Sequence, residues 1–392
     1  MYGQYGVNSL KQKKINHGLV LNMIATERAD SRIKISKRIG LSKMALSNIT
    51  AELIDKKYIE ETIKVSTNKV GRNRQRLDIS AEAPKAVGVY ISRNRIVAIL
   101  SDMKVNILYM SEYLLKDESN QTLTRKIIDA CDEIFTVAKI KFGAPKIMAI
   151  GIAAIGPLDS VTGVILNPPD FYGISNLPIC DILNEKYGIP VLINNDINLS
   201  ALAENLYGYG KQYKNFIYLG LTMGIGTGII SDGDLFQQRS SFVGEIGHMT
   251  IDRNGPMCTC GQRGCLETYV SIPRIVDHMR TVTKRESISY KNMEELYSHP
   301  ECREFFDEIA DDIAIALVNI SNLLDPQCIV IGHEGYYLPE KCLERIKATL
   351  NKGILCKDSH SIELVRSSFK ENAPIIGSAC LVWQQLFDGL II

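Results

Sequence analysis

The sequence has no apolar run near the roughly 18 residues that a membrane-spanning helix needs. Its opening, MYGQYGVNSLKQKK, has no apolar stretch of the signal-peptide kind. These two absences predict a cytoplasmic protein with no membrane partner. Net charge is almost absent too: 45 Lys and Arg against 44 Asp and Glu leave a formal +1. With 45% apolar and 23% charged residues, the chain is neither disordered nor fibrous. Its ten cysteines, in a chain read as cytoplasmic, are thiols or metal ligands rather than a disulfide framework. At 392 residues it is too long for one ordinary domain and predicts two or three.

The near-zero balance hides an asymmetry. Residues 1–80 carry sixteen Lys and Arg against seven Asp and Glu, and the other 312 carry 29 against 37. A basic head on an acidic body points to a nucleic-acid-binding module joined to something else. In the head, apolar residues from Leu10 to Ile24 fall at helical spacing, and a short helix follows over Ile33 to Ile39. Ser42 is placed to cap a third helix, Lys43 to Lys57, whose buried stripe is Leu46, Ile49, Leu53 and Ile54. Two extended runs, Tyr58–Val65 and Arg76–Ile79, flank a basic polar tip. The pattern is helix, helix, turn, helix, β-wing. Ser80 to Lys85 reads as a linker. Beyond it, strands alternate with helices, which indicates α/β layers. FIYLGLTMGIGTGIISDG echoes YISRNRIVAILSD, so the body reads as two related lobes, each opening on a hairpin.

In a helix-turn-helix the second helix enters the major groove, led by residues near its N-terminus. Here those are Lys43, Met44, Ser47 and Asn48. Asn can read adenine and Lys guanine. In the wing, Lys69, Arg72 and Arg74 are candidates for phosphates or for a narrow A·T-rich minor groove. The plain alternative is a solvated charged turn beside an ordinary three-helix bundle.

The sharpest local feature is His248-x9-Cys258-x-Cys260-x4-Cys265. One imidazole and three thiols suit a tetrahedral Zn²⁺ whose four positions are all filled by protein, hence a structural site. Free buried cysteines or a redox pair are the alternatives. The other seven cysteines are expected singly in the core.

These residues carry a family resemblance. GEIGHMTIDRNGPMCTCGQRGCLETYVS (244–271) resembles the signature of the ROK family of repressors, open reading frames and sugar kinases. NNDIN (194–198), followed by Glu204, resembles its sugar-site segment, and IGPLDSVTGVILNPP (155–169) the loop and strand that close over the sugar. The winged helix with a Gly-Arg wing resembles the xylose-repressor branch. The resemblance implies an α/β chain: an N-terminal winged helix-turn-helix, then a two-lobed actin-like, ribonuclease H-like ROK domain. The implied boundaries are 1–80 for the winged helix, 81–86 for the linker and 87–392 for the ROK domain. Lobe one covers about 87–200 plus 376–392. Lobe two covers 201–375 and includes a zinc subdomain, 244–271. The resemblance makes His248, Cys258, Cys260 and Cys265 the zinc ligands. It makes Asn195, Asp196, Glu245, His248 and Glu267 the groups that hydrogen-bond a sugar. Asp196 and Asn198 could instead simply cap a helix, and Glu245 and Glu267 could be surface carboxylates.

In the family's kinases the Asp matching Asp196 is the general base. Their first hairpin resembles Asp-x-Gly-Gly-Thr, glycine being needed where backbone approaches phosphate. Here Tyr90 replaces the Asp, and Ser92-Arg93-Asn94 replaces Gly-Gly-Thr. Gly224-Ile-Gly226-Thr227-Gly228 is intact, and those glycines could equally shape a tight hairpin. Ile331-Gly332-His333-Glu334 stands where the family often has Ile-Gly-Gly-Gly. The expectation is therefore no enzyme, with Asp196 a vestigial general-base position. The chain is read as a sugar-responsive regulator that binds operator DNA as a homodimer or homotetramer, with a sugar effector and structural zinc. The rivals are an ATP-dependent sugar kinase and a regulator controlled by a protein partner.

Overall fold

The computed structural model of the chain describes residues 9–63, 75–236 and 243–391. Those up to Asn194, with those from Ser378 onward, form one compact unit; Asn195–Gly377 form the other.

Unit one begins with α1 (Ser9–Ala25), α2 (Arg32–Ile39) and α3 (Lys43–Asp55), then the antiparallel pair β1 (Ile59–Ile63) and β2 (Gln75–Ile79). The expected helix, helix, turn, helix, wing order holds. α3 starts where a side chain can replace the missing backbone acceptor: Ser42 Oγ accepts from the Ala45 amide at 3.2 Å. Its buried face is Leu46, Ile49, Thr50 and Leu53. Thr50 is buried with its hydroxyl accepting from Arg32 at 2.9 Å, whereas Ile54, expected in the stripe, is half-buried. His17 of α1, also buried, ties to Glu52 of α3 at 3.0 Å.

The unit continues through β3 (Lys85–Ile91), β4 (Arg95–Ser101), β5 (Ile107–Leu114), α4 (Asn120–Phe142) and β6 (Ile147–Ala154). The two-residue strands β7 (Leu158–Asp159) and β8 (Val164–Ile165), then α5 (Ile179–Tyr187) and β9 (Val191–Asn195), complete it up to the crossing. The sheet order is β5-β4-β3-β6-β9. Its first three strands form an antiparallel meander, and β3 pairs with β6 in parallel. The near-continuous apolar runs of β3, β4 and β6 reflect burial of most of their side chains. Leu123, Ile127 and Ile134 of α4 and Leu183 of α5 pack with them. In the segment read as a linker, Ala83 is buried, and the buried amine of Lys85 donates to the carbonyls of Ala81 and Ala83.

Unit two runs through α6 (Asp196–Tyr207), β10 (Phe216–Leu221), β11 (Ile225–Ser231), β12 (Asp234–Leu235) and α7 (Glu267–Val270). It continues through α8 (Ile272–Thr283), α9 (Met293–Leu296), α10 (Pro300–Leu324), β13 (Cys328–His333), α11 (Glu340–Gly353) and β14 (Glu363–Arg366). The helix α12 (Ala373–Phe387) begins in unit two and lies in unit one from Ser378. The second sheet runs β12-β11-β10-β13-β14, again an antiparallel meander followed by parallel pairs. The echo between the two hairpins in sequence thus extends to the whole strand order. Of the seven cysteines expected in the core, Cys131, Cys180, Cys302, Cys328, Cys342 and Cys380 are buried. Cys356 is the exception: it lies half-buried in the turn after α11, outside any strand or helix.

Candidate functional site

The last residue of β9 caps the next helix. Asn195 Oδ1 accepts from the amides of Ile197 and Asn198 at 2.9 and 3.3 Å. Asn195 is thus the N-cap of α6. Asp196, the first residue of α6, is buried, and its Oδ1 accepts from the Ile197 amide at 3.0 Å. The N-terminus of α6 gives its carboxylate a favourable field. Its other oxygen, Oδ2, lies 4.0 Å from His333 Nε2 at the end of β13.

Sequence reading missed the side of His333 that faces Asp196. His333 is buried, Tyr218 bonds its Nδ1 at 3.1 Å, and its Nε2 has no hydrogen-bond partner among the described residues. Burial pushes its pKa down to about 4. Its backbone sits at φ 54°, ψ −141°, a conformation suited to glycine. That signal was available in the departure from Ile-Gly-Gly-Gly.

The glycines of β11 serve α6. A Cβ on Gly226 would lie 2.8 Å from Ile197 Cδ1, and one on Gly228 would lie 2.5 Å from Ala201 Cβ and 2.8 Å from the Ile197 carbonyl. They let helix and strand approach closely. At the same hairpin, Glu267 Oε2 accepts from the Ile225 amide at 3.1 Å. Glu204, fully buried on α6, accepts from the Ser367 hydroxyl and the Ser368 amide, each at 2.7 Å.

Glu245, His248 and Glu267 form one electrostatic group. Desolvation raises the Glu245 carboxyl above its usual range, His248 lowers it, and Glu267 raises it further. His248 then leads into the cysteine cluster. His248 Nδ1 lies 3.7 Å from Cys258 Sγ, and Cys260 Sγ lies 3.6 Å from Cys265 Sγ. One ligand atom from each of the four residues lies within 4.8 Å of the rest. Main-chain bonds from Cys258 to Gln262 and from Gly261 to Cys258, at 2.8 and 3.0 Å, close the knuckle. Gly264 (φ +68°) runs so close to the Asp252 carbonyl that a Cβ would lie 1.6 Å from its oxygen. The cluster is compatible with a structural metal site.

On α3, Lys43, Met44, Ser47 and Asn48 are all exposed, while Leu46 and Ile49 of the same helix are buried. Lys69, Arg72 and Arg74 lie outside the described residues. In the first hairpin, the turn Ser92-Arg93-Asn94 is tied down on both sides. The Ser92 hydroxyl donates to Asn94 Oδ1 at 2.9 Å, Arg93 Nε donates to the Pro169 carbonyl at 3.2 Å, and the Tyr172 hydroxyl donates to the Arg93 carbonyl at 2.8 Å.

Residues 86–385 match the ROK family. The chain belongs to that family. A xylose repressor from Caldicellulosiruptor bescii is 29% identical over 385 residues, covering 94% of this chain and 96% of its own. A solved ROK family transcriptional regulator, described as a homologue of the Escherichia coli MLC protein, superposes with a TM-score of 0.83. It is 26% identical and covers 97% of this chain and 98% of its own. A ROK hexokinase from Thermus thermophilus is also 26% identical, with a TM-score of 0.65 and coverage of 77% and 98%. The winged helix followed by an actin-like α/β architecture is the fold that the ROK signature implied. Among the described residues, no helix is long and apolar enough to cross a membrane.

Proposed function

We propose that this ROK protein is a cytoplasmic, sugar-responsive transcriptional repressor of carbohydrate-utilisation genes. The observation that carries the reading is the exposed face of α3 within a module that the repressor relatives share. The regulator structure covers 97% of this chain and the hexokinase 77%. Lys43, Met44, Ser47 and Asn48 would face base edges, and Lys69, Arg72 and Arg74 would follow the backbone or minor groove. Two such modules, in a homodimer or in pairs within a homotetramer, would match half-sites about one helical turn apart. Residues 1–80 would be the operator-binding part, 81–86 its connection and 87–392 the effector-binding part.

Asn195, Asp196, Glu245, His248 and Glu267 would hold the sugar. A polyol needs paired donors and acceptors, which carboxylates, an amide and an imidazole supply. Two distances at the cysteine cluster, 3.7 Å between His248 Nδ1 and Cys258 Sγ and 3.6 Å between Cys260 Sγ and Cys265 Sγ, suit zinc. Bonds of about 2.3 Å to sulfur and 2.0–2.1 Å to nitrogen give tetrahedral edges near 3.8 Å for S···S and 3.5 Å for S···N. Zinc would supply a fixed scaffold rather than a reaction step. With Nδ1 of His248 turned to the cluster, its proton would sit on Nε2, which then donates to a sugar hydroxyl.

Two features argue against kinase activity. The Ser92–Asn94 turn puts side chains, one a tethered Arg93, where a glycine loop would admit phosphates. The imidazole of His333 fills space beside Asp196 where glycine is the family habit.

The test is operator binding by the purified chain on DNA from its own upstream region. It is titrated with pentoses, hexoses and N-acetyl sugars, with and without ATP. Release by one sugar in the absence of ATP is expected. Turnover of ATP with one sugar and no operator binding would overturn the reading. Tight binding that no free sugar alters would favour control by a protein partner.

A further inference from the structure

The half-buried Cys356 belongs to a group of its own, made of residues other than those of the His248 cluster. Its Sγ lies 3.5 Å from His360 Nε2 and 3.8 Å from Asp325 Oδ1, and His360 Nε2 lies 3.0 Å from Asp325 Oδ1. The three ligand atoms close a triangle of one thiol, one imidazole and one carboxylate. A tetrahedral ion with bonds of about 2.3 Å to sulfur and 2.0–2.2 Å to nitrogen and oxygen requires edges near 3.5, 3.6 and 3.4 Å. The observed edges match these to within about 0.4 Å. An exposed His–Asp pair contributes little alone, with a median of about 0–1 kcal/mol. A thiol held against it adds little more. An ion of zinc character uses all three donors at once.

The backbone already holds the three groups in place. Asp325 caps α10 in the left-handed region at φ 46°, ψ 56°, its amide bonded to the Ser321 carbonyl at 2.9 Å. One turn of chain carries the other two. The amides of Ser359 and His360 both donate to the Cys356 carbonyl, at 2.8 and 3.2 Å, which brings the thiol and the imidazole onto one side. Asn322, near the end of α10, accepts from the Leu355 amide at 2.9 Å and fixes that turn to the helix. Both the cap and the turn are thus set by bonds that do not involve the candidate ligands' own side chains. Little ordering is left for an ion to impose.

We propose that Asp325, Cys356 and His360 form a second divalent-metal site of zinc type, separate from the His248, Cys258, Cys260 and Cys265 cluster. It differs from that cluster in kind. Three protein donors leave the fourth position to water, and Asp325 and His360 are exposed, with side chains 70% and 42% accessible. Its ion exchanges with solvent, whereas a site with four protein donors holds its ion tightly. Bound metal clamps the end of α10 to the turn after α11, and stabilises unit two by an amount that rises with the logarithm of free metal once it exceeds the dissociation constant.

The experiment uses the full chain, its tight metal retained, under reducing conditions. Alkylation of Cys356 by iodoacetamide is followed by peptide mass spectrometry with and without added ZnCl₂, alongside zinc stoichiometry by native mass spectrometry. Wild type is expected to take up one zinc more than a Cys356→Ser variant. Saturating zinc is expected to slow alkylation of Cys356 by at least about tenfold, the factor for an ion at ten times its dissociation constant. His360→Ala, a change at an exposed turn, is expected to abolish that protection while leaving the tight zinc in place. Equal alkylation rates with and without zinc, or an unchanged stoichiometry in Cys356→Ser, would overturn the proposal.

Discussion

Replacing His333 with glycine removes a buried base whose protonation the fold opposes. Burial pushes the folded pKa down to about 4, below the ordinary histidine value of about 6.5. Below the unfolded value the unfolded chain takes up a proton that the folded chain refuses, so stability falls as pH drops from about 7 towards 4. At pH 5.0 the unfolded histidine is almost fully protonated and the folded one barely so, which makes the loss relative to pH 7.5 about 2 kcal/mol. Asp196 Oδ2, 4.0 Å from Nε2, favours the imidazolium and opposes burial. About 2 kcal/mol is therefore an upper value, and Asp196→Asn should bring the protein closer to it. His333→Gly also relieves a backbone conformation that costs non-glycine residues about 1–3 kcal/mol. Against this it loses the Tyr218 hydrogen bond, about 1 kcal/mol, and side-chain packing. Those terms do not depend on pH and cancel in the slope. The assay is denaturant unfolding of both proteins at pH 7.5, 6.5, 5.5 and 5.0. The variant should gain up to about 2 kcal/mol on wild type across that range. Two parallel stability curves would refute the reasoning.

The other predictions concern each part of the chain. Asn48→Ala should leave thermal stability within about 0.5 kcal/mol, because the residue is exposed. It should weaken operator binding by about 1–3 kcal/mol, and unaltered affinity in a mobility-shift titration would remove Asn48 from base reading. Gly264→Ala forces a Cβ to within 1.6 Å of the Asp252 oxygen at φ +68°. It should cost more than about 3 kcal/mol and lower the zinc content, and a full complement of zinc at wild-type stability would contradict the geometry. The Glu204 carboxyl is held above its ordinary 4.5 by burial, with the Ser367 hydroxyl and Ser368 amide pulling it back. The unfolded carboxyl therefore ionises first, and wild type should lose stability relative to Glu204→Gln as pH rises from 4.5 towards neutral. A pH-independent difference in melting temperature between the two would count against that sign.

What was legible in the sequence was local. The N-cap at Ser42 and the stripe of Leu46, Ile49 and Leu53 lie within one helix, so periodicity found them. His248, Cys258, Cys260 and Cys265 lie close enough along the chain for spacing alone to suggest one ion. Contacts across the second sheet were not legible. His333 reaches Asp196 from the end of another strand, and a pattern of residue types shows only that glycine is missing there. Nor did the pattern of glycines in β11 show that α6 lies against them. Cys356 looked like one more core thiol because Asp325 comes to it from the far end of α10. His360, four residues on, was the one hint that the sequence offered.

The surroundings of Asp196 bear directly on the choice between regulator and kinase. A carboxylate at a helix N-terminus, buried and near a cation-capable imidazole, is equally able to accept a hydrogen bond from a hydroxyl or to take its proton. Acceptance needs only the sugar. Deprotonation achieves nothing unless a phosphoryl group is held in line behind that hydroxyl, which requires backbone amides free to approach the nucleotide. In this chain the first hairpin's turn is committed to Asn94, Pro169 and Tyr172 through side-chain bonds. Restoring Gly-Gly-Thr at 92–94 alone would still leave His333 beside the carboxylate, and restoring Gly at 333 alone would leave the turn filled. On the proposed reading neither single change yields ATP turnover, whereas operator release by sugar survives both. Turnover appearing in His333→Gly by itself would place the loss of catalysis at one side chain and return the kinase reading to first place.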